Sequence, residues 1–161
     1  MSKIKVIVAD IDGTLVAKYQ DVSDYEKRII ESARAEGILF GIASGRPLYH
    51  CKDLISNWGL KVDFLICNNG SNLYDFQTRR EYDYDFLKPE WCKEIIDLMI
   101  PYHPNVMMYW NETNYVSKQD DMVLKAGNKY HYKYKIESDI RVFYKNRLCH
   151  NKWLILTRNS V

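Results

Sequence analysis

The chain has no apolar run near the roughly 20 residues that span a bilayer. Its first apolar run, Ile4 to Ala9, meets acid at Asp10 with no small-residue cleavage site behind it, so we read no secretory leader. No two of its 4 cysteines, Cys51, Cys67, Cys92 and Cys149, stand in a C-x-x-C spacing. The expectation is four reduced, mostly buried thiols in a protein that stays inside the cell, in the cytoplasm. The 4 histidines show no H-x-H or H-E-x-x-H spacing, which argues against a zinc site. There is no internal repeat and no low-complexity tract. A hydrophobic share of 47% and a charged share of 27% exclude a disordered chain, a collagen and a coiled coil.

What is present is 161 residues, enough for one domain or a small domain carrying an insert. Such a chain buries about two thirds of its unfolded surface without needing disulfides. The net charge of +2 hides an asymmetry: residues 1–121 carry 14 basic against 19 acidic residues, and residues 122–161 carry 9 against 2. The C-terminal part therefore has the charge to face an anion.

The first 70 residues alternate apolar runs with amphipathic ones. Residues 3–9 and 38–43 are short and apolar and predict buried strands, as do residues 62–67. Residues 24–36 predict a helix with Ser23 or Asp24 as N-cap and Gly37 at its stop; a second helix opens near Pro47 and stops at Gly59. Strands alternating with helices predict a parallel sheet with right-handed crossovers, whose ligands bind beyond the carboxyl ends of the strands. Three small polar segments fall there: Asp10 to Thr14, Ser44 to Arg46 and Asn68 to Gly70.

The pattern changes after Gly70. Residues 73–76 and 80–86 predict a hairpin, 89–100 a helix, 106–109 with 115–117 another hairpin, and 130–136, 141–144 and 153–156 further strands. This half reads as α+β, a layer separate from the parallel sheet. We expect a domain boundary between residues 1–81 and 82–161.

Asp10 and Asp12 stand two apart at a strand end, where an extended chain points both to one side. Two such carboxylates repel unless a cation or a proton lies between them, and Mg²⁺ suits that donor set. Gly13 permits a sharp turn, and Thr14 offers a hydroxyl and an N–H.

The run Val8-Ala9-Asp10-Ile11-Asp12-Gly13-Thr14-Leu15 resembles the first motif of haloacid dehalogenase-like phosphatases. Ile42-Ala43-Ser44-Gly45-Arg46-Pro47 is similar to their second motif in its Cof-type form, and Ile66 to Ser71 with Leu73-Tyr74-Asp75 resembles that subgroup's exit into a large α+β cap. The resemblance covers residues 1–76 well and implies an α/β fold: a partial, three-stranded Rossmannoid parallel sheet with an α+β cap insert. It also implies a Mg²⁺-dependent phosphomonoester hydrolase acting on a small phosphorylated metabolite, such as a sugar phosphate, pyridoxal phosphate or flavin mononucleotide.

On that resemblance Asp10 attacks phosphorus and forms an aspartyl-phosphate, while Asp12 protonates the leaving oxygen and then activates water. Mg²⁺ takes the Asp10 carboxylate, the Asp12 main-chain carbonyl and a phosphate oxygen. Gly13, Thr14, Ser44, Gly45, Arg46, Asn69 and Gly70 are the candidate phosphate and substrate contacts. Arg46 has two readings, a structural partner of a carboxylate or a substrate contact; Asn69-Gly70 touches substrate or simply makes a turn.

The chain departs from the family pattern beyond its third motif. The family supplies a late lysine and a G-D-x-x-N-D motif, and no G-D dipeptide occurs here. Asp120-Asp121 is a paired acid, but it follows a cap-like hairpin with no apolar strand leading into it, and Lys152 has the context of a cap strand. The family's fourth strand, which lies beside the first, is missing. Ile4, Val6 and Val8 are therefore expected on an open edge, prone to self-association. The expectation is a chain truncated within the cap.

The sequence also admits other readings. One is an inactive phosphate- or Mg²⁺-binding remnant. Another is nucleic-acid binding through Lys129 to Lys135, although interleaved Tyr and Lys also describe a half-buried strand, so no nucleic-acid partner is expected. A receiver-like phosphoacceptor also places acids at strand ends, but lacks the D-x-D-G-T run. Tyr109, Trp110 and Tyr115 could line a substrate site or belong to a core. No membrane partner is expected.

Overall fold

A computed structural model of the chain describes residues 4–17, 21–84, 87–110, 113–130, 134–139, 141–142 and 154–157. It divides into two compact units, residues 1–84 and residues 85–161.

The first unit runs β1 (Val6–Asp10), α1 (Asp24–Ala35), β2 (Leu39–Ala43), α2 (Leu48–Trp58), β3 (Phe64–Cys67), β4 (Asn72–Asp75) and β5 (Arg80–Asp83). Local chemistry sets the helix ends. At α1 the Glu26 N–H donates to Ser23 Oγ and the Ser23 N–H donates back to the Glu26 carboxylate. A capping box of this kind contributes about 1 kcal/mol. Helix α2 opens behind Pro47 and ends on Gly59, whose φ of 62° supplies the left-handed turn that releases the chain.

The sheet has the order β1-β2-β3-β4-β5. Strands β1, β2 and β3 are parallel, with Val8 opposite Gly41 and Ile42 opposite Leu65. Strands β4 and β5 continue the sheet antiparallel, with Ile66 opposite Leu73. The hairpin is thus part of this sheet, and the expected separate layer does not begin at Gly70. The reason is the single turn over Asn68–Gly70, which reverses the chain at once and returns β4 against the strand just completed.

Arg34 of α1 clamps the entry to β3. Its Nε and Nη2 donate to the two Asp63 oxygens at 2.9 and 2.6 Å, and the Phe40 N–H donates to the same carboxylate. The Arg34 hydrogen bonds hold the Asp63 carboxyl below the usual carboxylate range, against a smaller effect of burial. The core behind the strands gathers Ile11, Leu15, Ile42, Cys51, Trp58 and Leu65.

Strand β1 is not the buried strand its apolar residues suggest. Among the described residues it pairs with β2 alone, and Ile4 and Val8 are 65% and 46% exposed. A parallel strand is buried only when both neighbours and both covering layers are present. The open edge expected at Ile4, Val6 and Val8 is what the described residues show.

The second unit runs α3 (Pro89–Met99), β6 (Asn105–Trp110), β7 (Thr113–Val116), α4 (Asp121–Tyr130), β8 (Tyr134–Ile136) and β9 (Leu154–Thr157). Its sheet has the order β8-β7-β6-β9. Cys92 and Ile96 of α3 pack with Val106 and Met108 of β6. Asn105 is buried and pins the end of the hairpin: its amide donates to the Lys118 carbonyl and to Asp120, and its Oδ1 accepts from Ser117 Oγ.

Two expectations change here. Residues 121–130 are helical, and Tyr130 belongs to that helix and not to the strand predicted over 130–136; residues 131–133 lie outside the described residues. Asp120 starts the helix by accepting the Val123 N–H at 2.9 Å. That local cap outweighs the tyrosine–lysine alternation beyond it. Arg141 lies in a turn and Val142 is helical, so neither is in a strand; the Asp139 carboxylate accepts the Arg141 N–H and closes the turn. Residues 143–144, Cys149, Lys152 and Trp153 lie outside the described residues. No helix among the described residues is long and apolar enough to cross a membrane.

Candidate active site

The chain leaves β1 at Asp10 and turns. The Leu15 N–H donates to the Asp10 carbonyl, the Val16 N–H to the Ile11 carbonyl, and the Gly13 N–H to the Val16 carbonyl, all at 2.9–3.0 Å. Ile11, Leu15 and Val16 are buried beneath the turn, while Asp10, Asp12, Gly13 and Thr14 are exposed. Apolar anchors therefore present polar groups. Gly13 adopts φ 84°, which a residue with a Cβ rarely takes. The strand ends before Asp12, so the two-residue period does not carry through Ile11 and does not set Asp12 beside Asp10.

The second and third loops interlock. The Ser44 N–H donates to the Ile66 carbonyl, the Asn69 N–H to the Ser44 carbonyl, and the Asn68 N–H to the Arg46 carbonyl. Asn68, Asn69 and Gly70 all have positive φ, a conformation asparagine tolerates better than most residues. A Cβ on Gly45 would lie 2.7 Å from Asn69 Oδ1, so a side chain at residue 45 would oblige the Asn69 amide to move.

These loops enclose a cleft of about 360 Å³ at the carboxyl ends of the parallel strands, lined by Asp10, Ala43, Ser44, Gly45, Ile66, Asn69 and Gly70. Of the nine candidate residues, the fold brings Asp10, Ser44, Gly45, Asn69 and Gly70 together there. Thr14 lines a neighbouring groove with Leu15, Tyr25 and Ile29. Gly13 lines neither. Asp12 and Arg46 meet each other: Arg46 Nη2 donates to both Asp12 oxygens, at 3.0 and 2.7 Å.

Two neighbours of this site were not singled out from the sequence. His50 lies one helical turn beyond Arg46 on α2, with its Nε2 3.4 Å from Arg46 Nη1; the i, i+4 spacing was the available signal. Cys51 is fully buried below the loops. Its hydrogen bond with Cys67 draws the Cys51 thiol below the usual thiol range, helped by the Arg46 charge and opposed by burial. Cys51, Cys67 and Cys92 are all buried thiols.

The motif resemblance implies magnesium, a hard ion that prefers oxygen donors. Asp10 offers a hard carboxylate oxygen in the cleft and fits an ion that takes one or two carboxylates plus phosphate and water. The Asp12 carboxylate faces the Arg46 guanidinium and suits a cation poorly, so only its main-chain oxygen matches the implied role. Among the described residues no three His, Cys, Asp or Glu side chains gather as a metal centre.

A parallel sheet whose ligand cleft opens at the carboxyl ends of its first three strands, with a small α+β unit after it in the chain, defines a Rossmann-like α/β protein with an appended unit. Within that class the chain belongs to the haloacid dehalogenase-like hydrolases, whose family model matches residues 7–159. It is 29% identical over 116 residues to a Buchnera aphidicola subsp. Baizongia pistaciae protein provisionally named a phosphatase, covering 71% of this chain and 43% of that one. It is 39% identical over 72 residues to the 5-amino-6-(5-phospho-D-ribitylamino)uracil phosphatase YcsE of Bacillus subtilis, covering 45% of this chain and 28% of YcsE. In structure it resembles TM0651 of Thermotoga maritima, with a TM-score of 0.80 at 22% identity over 96% of this chain and 56% of that chain. It also resembles the subclass IIB sugar phosphatase BT4131, with a TM-score of 0.67 at 20% identity over 94% of this chain and 56% of that chain. The chain thus spans less than half the length of these curated relatives.

Proposed function

We propose that this chain carries the nucleophile-bearing part of a phosphomonoester hydrolase that acts on a small phosphorylated metabolite. The observation that supports the reading most directly is the cleft, whose lining brings Asp10 together with Ser44, Gly45, Asn69 and Gly70. A carboxylate nucleophile and a ring of small polar groups are what a phosphoryl group requires: an attacking oxygen on one side and hydrogen-bond donors around its own oxygens.

In this reading an Asp10 oxygen attacks phosphorus in line with the departing ester oxygen, and the P–O bond to the alcohol breaks. Asp12, entering the step in its protonated form, delivers a proton to that oxygen. It then takes a proton from the water that cleaves the acyl-phosphate, returning Asp10 as a carboxylate and releasing inorganic phosphate. Ser44 and Gly45 lie just before α2, where helical N–H groups favour an anion. Mg²⁺ held by Asp10 would neutralise charge on the phosphoryl oxygens. A phosphate carried on a sugar or polyol fits best with the names borne by YcsE and BT4131. A cytoplasmic place follows from such a substrate.

The test is hydrolysis of a generic phosphomonoester by the chain with Mg²⁺ and with EDTA, beside Asp10→Asn. Turnover that needs both the metal and Asp10 is expected. Equal rates for wild type and Asp10→Asn would overturn the reading. Binding of inorganic phosphate without turnover would favour the inactive remnant instead.

A further inference from the structure

We propose that Arg46 is the positioning residue of Asp12, and that His50 holds Arg46 in that task. The proposal rests on the reading that Asp12 exchanges a proton with the ester oxygen and with water.

Asp12 sits on an exposed turn, with its side chain 68% accessible. A carboxylate so placed would sample several rotamers if nothing fixed it. Among the described residues its hydrogen-bonding partner is Arg46, whose Nη2 donates to both oxygens. One residue, 34 positions away, therefore sets the orientation of the proposed proton carrier.

Arg46 is itself held firmly enough to do this. Its side chain is 14% accessible. Its main-chain N–H donates to Ser44 Oγ, and its carbonyl accepts from the Asn68 N–H and the Cys51 thiol. Its Nη1 meets His50 Nε2. A guanidinium only donates, so that contact needs the lone pair of Nε2 and places the histidine proton on Nδ1. His50 is buried on the first turns of α2, which makes it a fixed post. The line of support runs from α2 through His50 and Arg46 to Asp12.

The same geometry argues against Arg46 as a direct phosphate ligand. Nη2 is engaged by Asp12, and Arg46 is not among the residues lining the cleft.

Leaving-group dependence separates the two roles. An alkyl phosphate needs a proton on its departing oxygen, whereas dinitrophenolate leaves without one. In Arg46→Met, single-turnover cleavage of an alkyl phosphate should fall ~100-fold, the scale set by a displaced general acid. The pre-steady-state burst of dinitrophenolate from its phosphate ester should stay within about threefold. KM and inhibition by inorganic phosphate should be unchanged. Arg46→Lys should recover part of the alkyl phosphate rate, and His50→Phe should show a smaller loss of the same kind.

Equal losses on both esters, or weaker inhibition by phosphate in Arg46→Met, would overturn the proposal. Should wild type hydrolyse neither ester, the phosphatase reading fails, and the positioning claim is then judged by NMR of the Arg46 guanidinium. Its side-chain N–H signals should shift and broaden in Asp12→Asn, and an unchanged spectrum would refute it.

Discussion

The Asp12 carboxylate rests against a single nitrogen of Arg46, with both oxygens within 3.0 Å, although 34 residues separate them in the chain. This pair ties the turn after β1 to the loop after β2. A half-exposed ion pair of this kind contributes at most about 1 kcal/mol, because water screens the exposed partner. Its worth lies in orientation. The expected outcome for Arg46→Met is therefore an unfolding midpoint in urea shifted by less than about 1 kcal/mol of stability, whatever its effect on rate. A much larger loss would make Arg46 a structural residue first.

Gly45→Ala places a Cβ 2.7 Å from Asn69 Oδ1. The amide is the end of a movable side chain, so stability should change by less than about 0.5 kcal/mol. Asn69 lines the cleft, however, and must swing to make room. Losing one hydrogen bond to phosphate corresponds to about tenfold weaker binding. Calorimetric titration with inorganic phosphate reads this directly, and unchanged affinity would remove Asn69 from the phosphate contacts.

Gly41 makes the opposite case. It lies in the interior of β2, and a Cβ there would overlap the ring of Phe64 on β3. Gly41→Ala should destabilise the first unit by about 1–3 kcal/mol through overpacking. Adding Phe64→Leu should return part of that loss, which a double-mutant cycle in urea would detect.

The Arg34–Asp63 pair gives a pH signature. Asp63 has its carboxyl lowered, chiefly by the Arg34 hydrogen bonds. A lowered acid adds stability above its unfolded pKa, about 3.9, and loses it as pH falls through the folded value. Asp63→Asn should cost about 1–2 kcal/mol at pH 7. The gap from wild type should shrink steadily below about pH 4. A gap independent of pH would mean that shape, not charge, holds the clamp.

In the second unit, Asp120 receives the Val123 N–H and the Asn105 amide at once. Asp120→Ala removes both and should cost about 1–3 kcal/mol, with helical circular dichroism lost before the first unit melts. Asp120→Asn, which keeps one acceptor oxygen, should recover most of it. Equal loss in both variants would argue that the carboxylate's charge is needed.

Local signals explain why the first 70 residues were legible. The capping box of Ser23 and Glu26, the glycine after each helix and Pro47 act within a few residues of the ends they set, so α1 and α2 fall within three residues of their expected bounds. The cleft loops were legible for a related reason, since small polar residues come after apolar strands at each of the three sites. Helix α4 was missed because its cap is braced by Asn105, 15 residues earlier, and the alternating residues beyond it imitate a strand.

Composition and spacing by themselves determined the α/β class, the parallel order of β1 to β3 and the position of Asp10 at a strand end, because each depends on periodicity and caps that neighbouring residues set. Tertiary structure alone decided three things. Asp12 turned to Arg46, Thr14 fell outside the cleft, and the hairpin β4–β5 extended the sheet. Each of these depends on which distant groups pack together, and a charge or an edge finds its partner through space, over separations that no local pattern encodes.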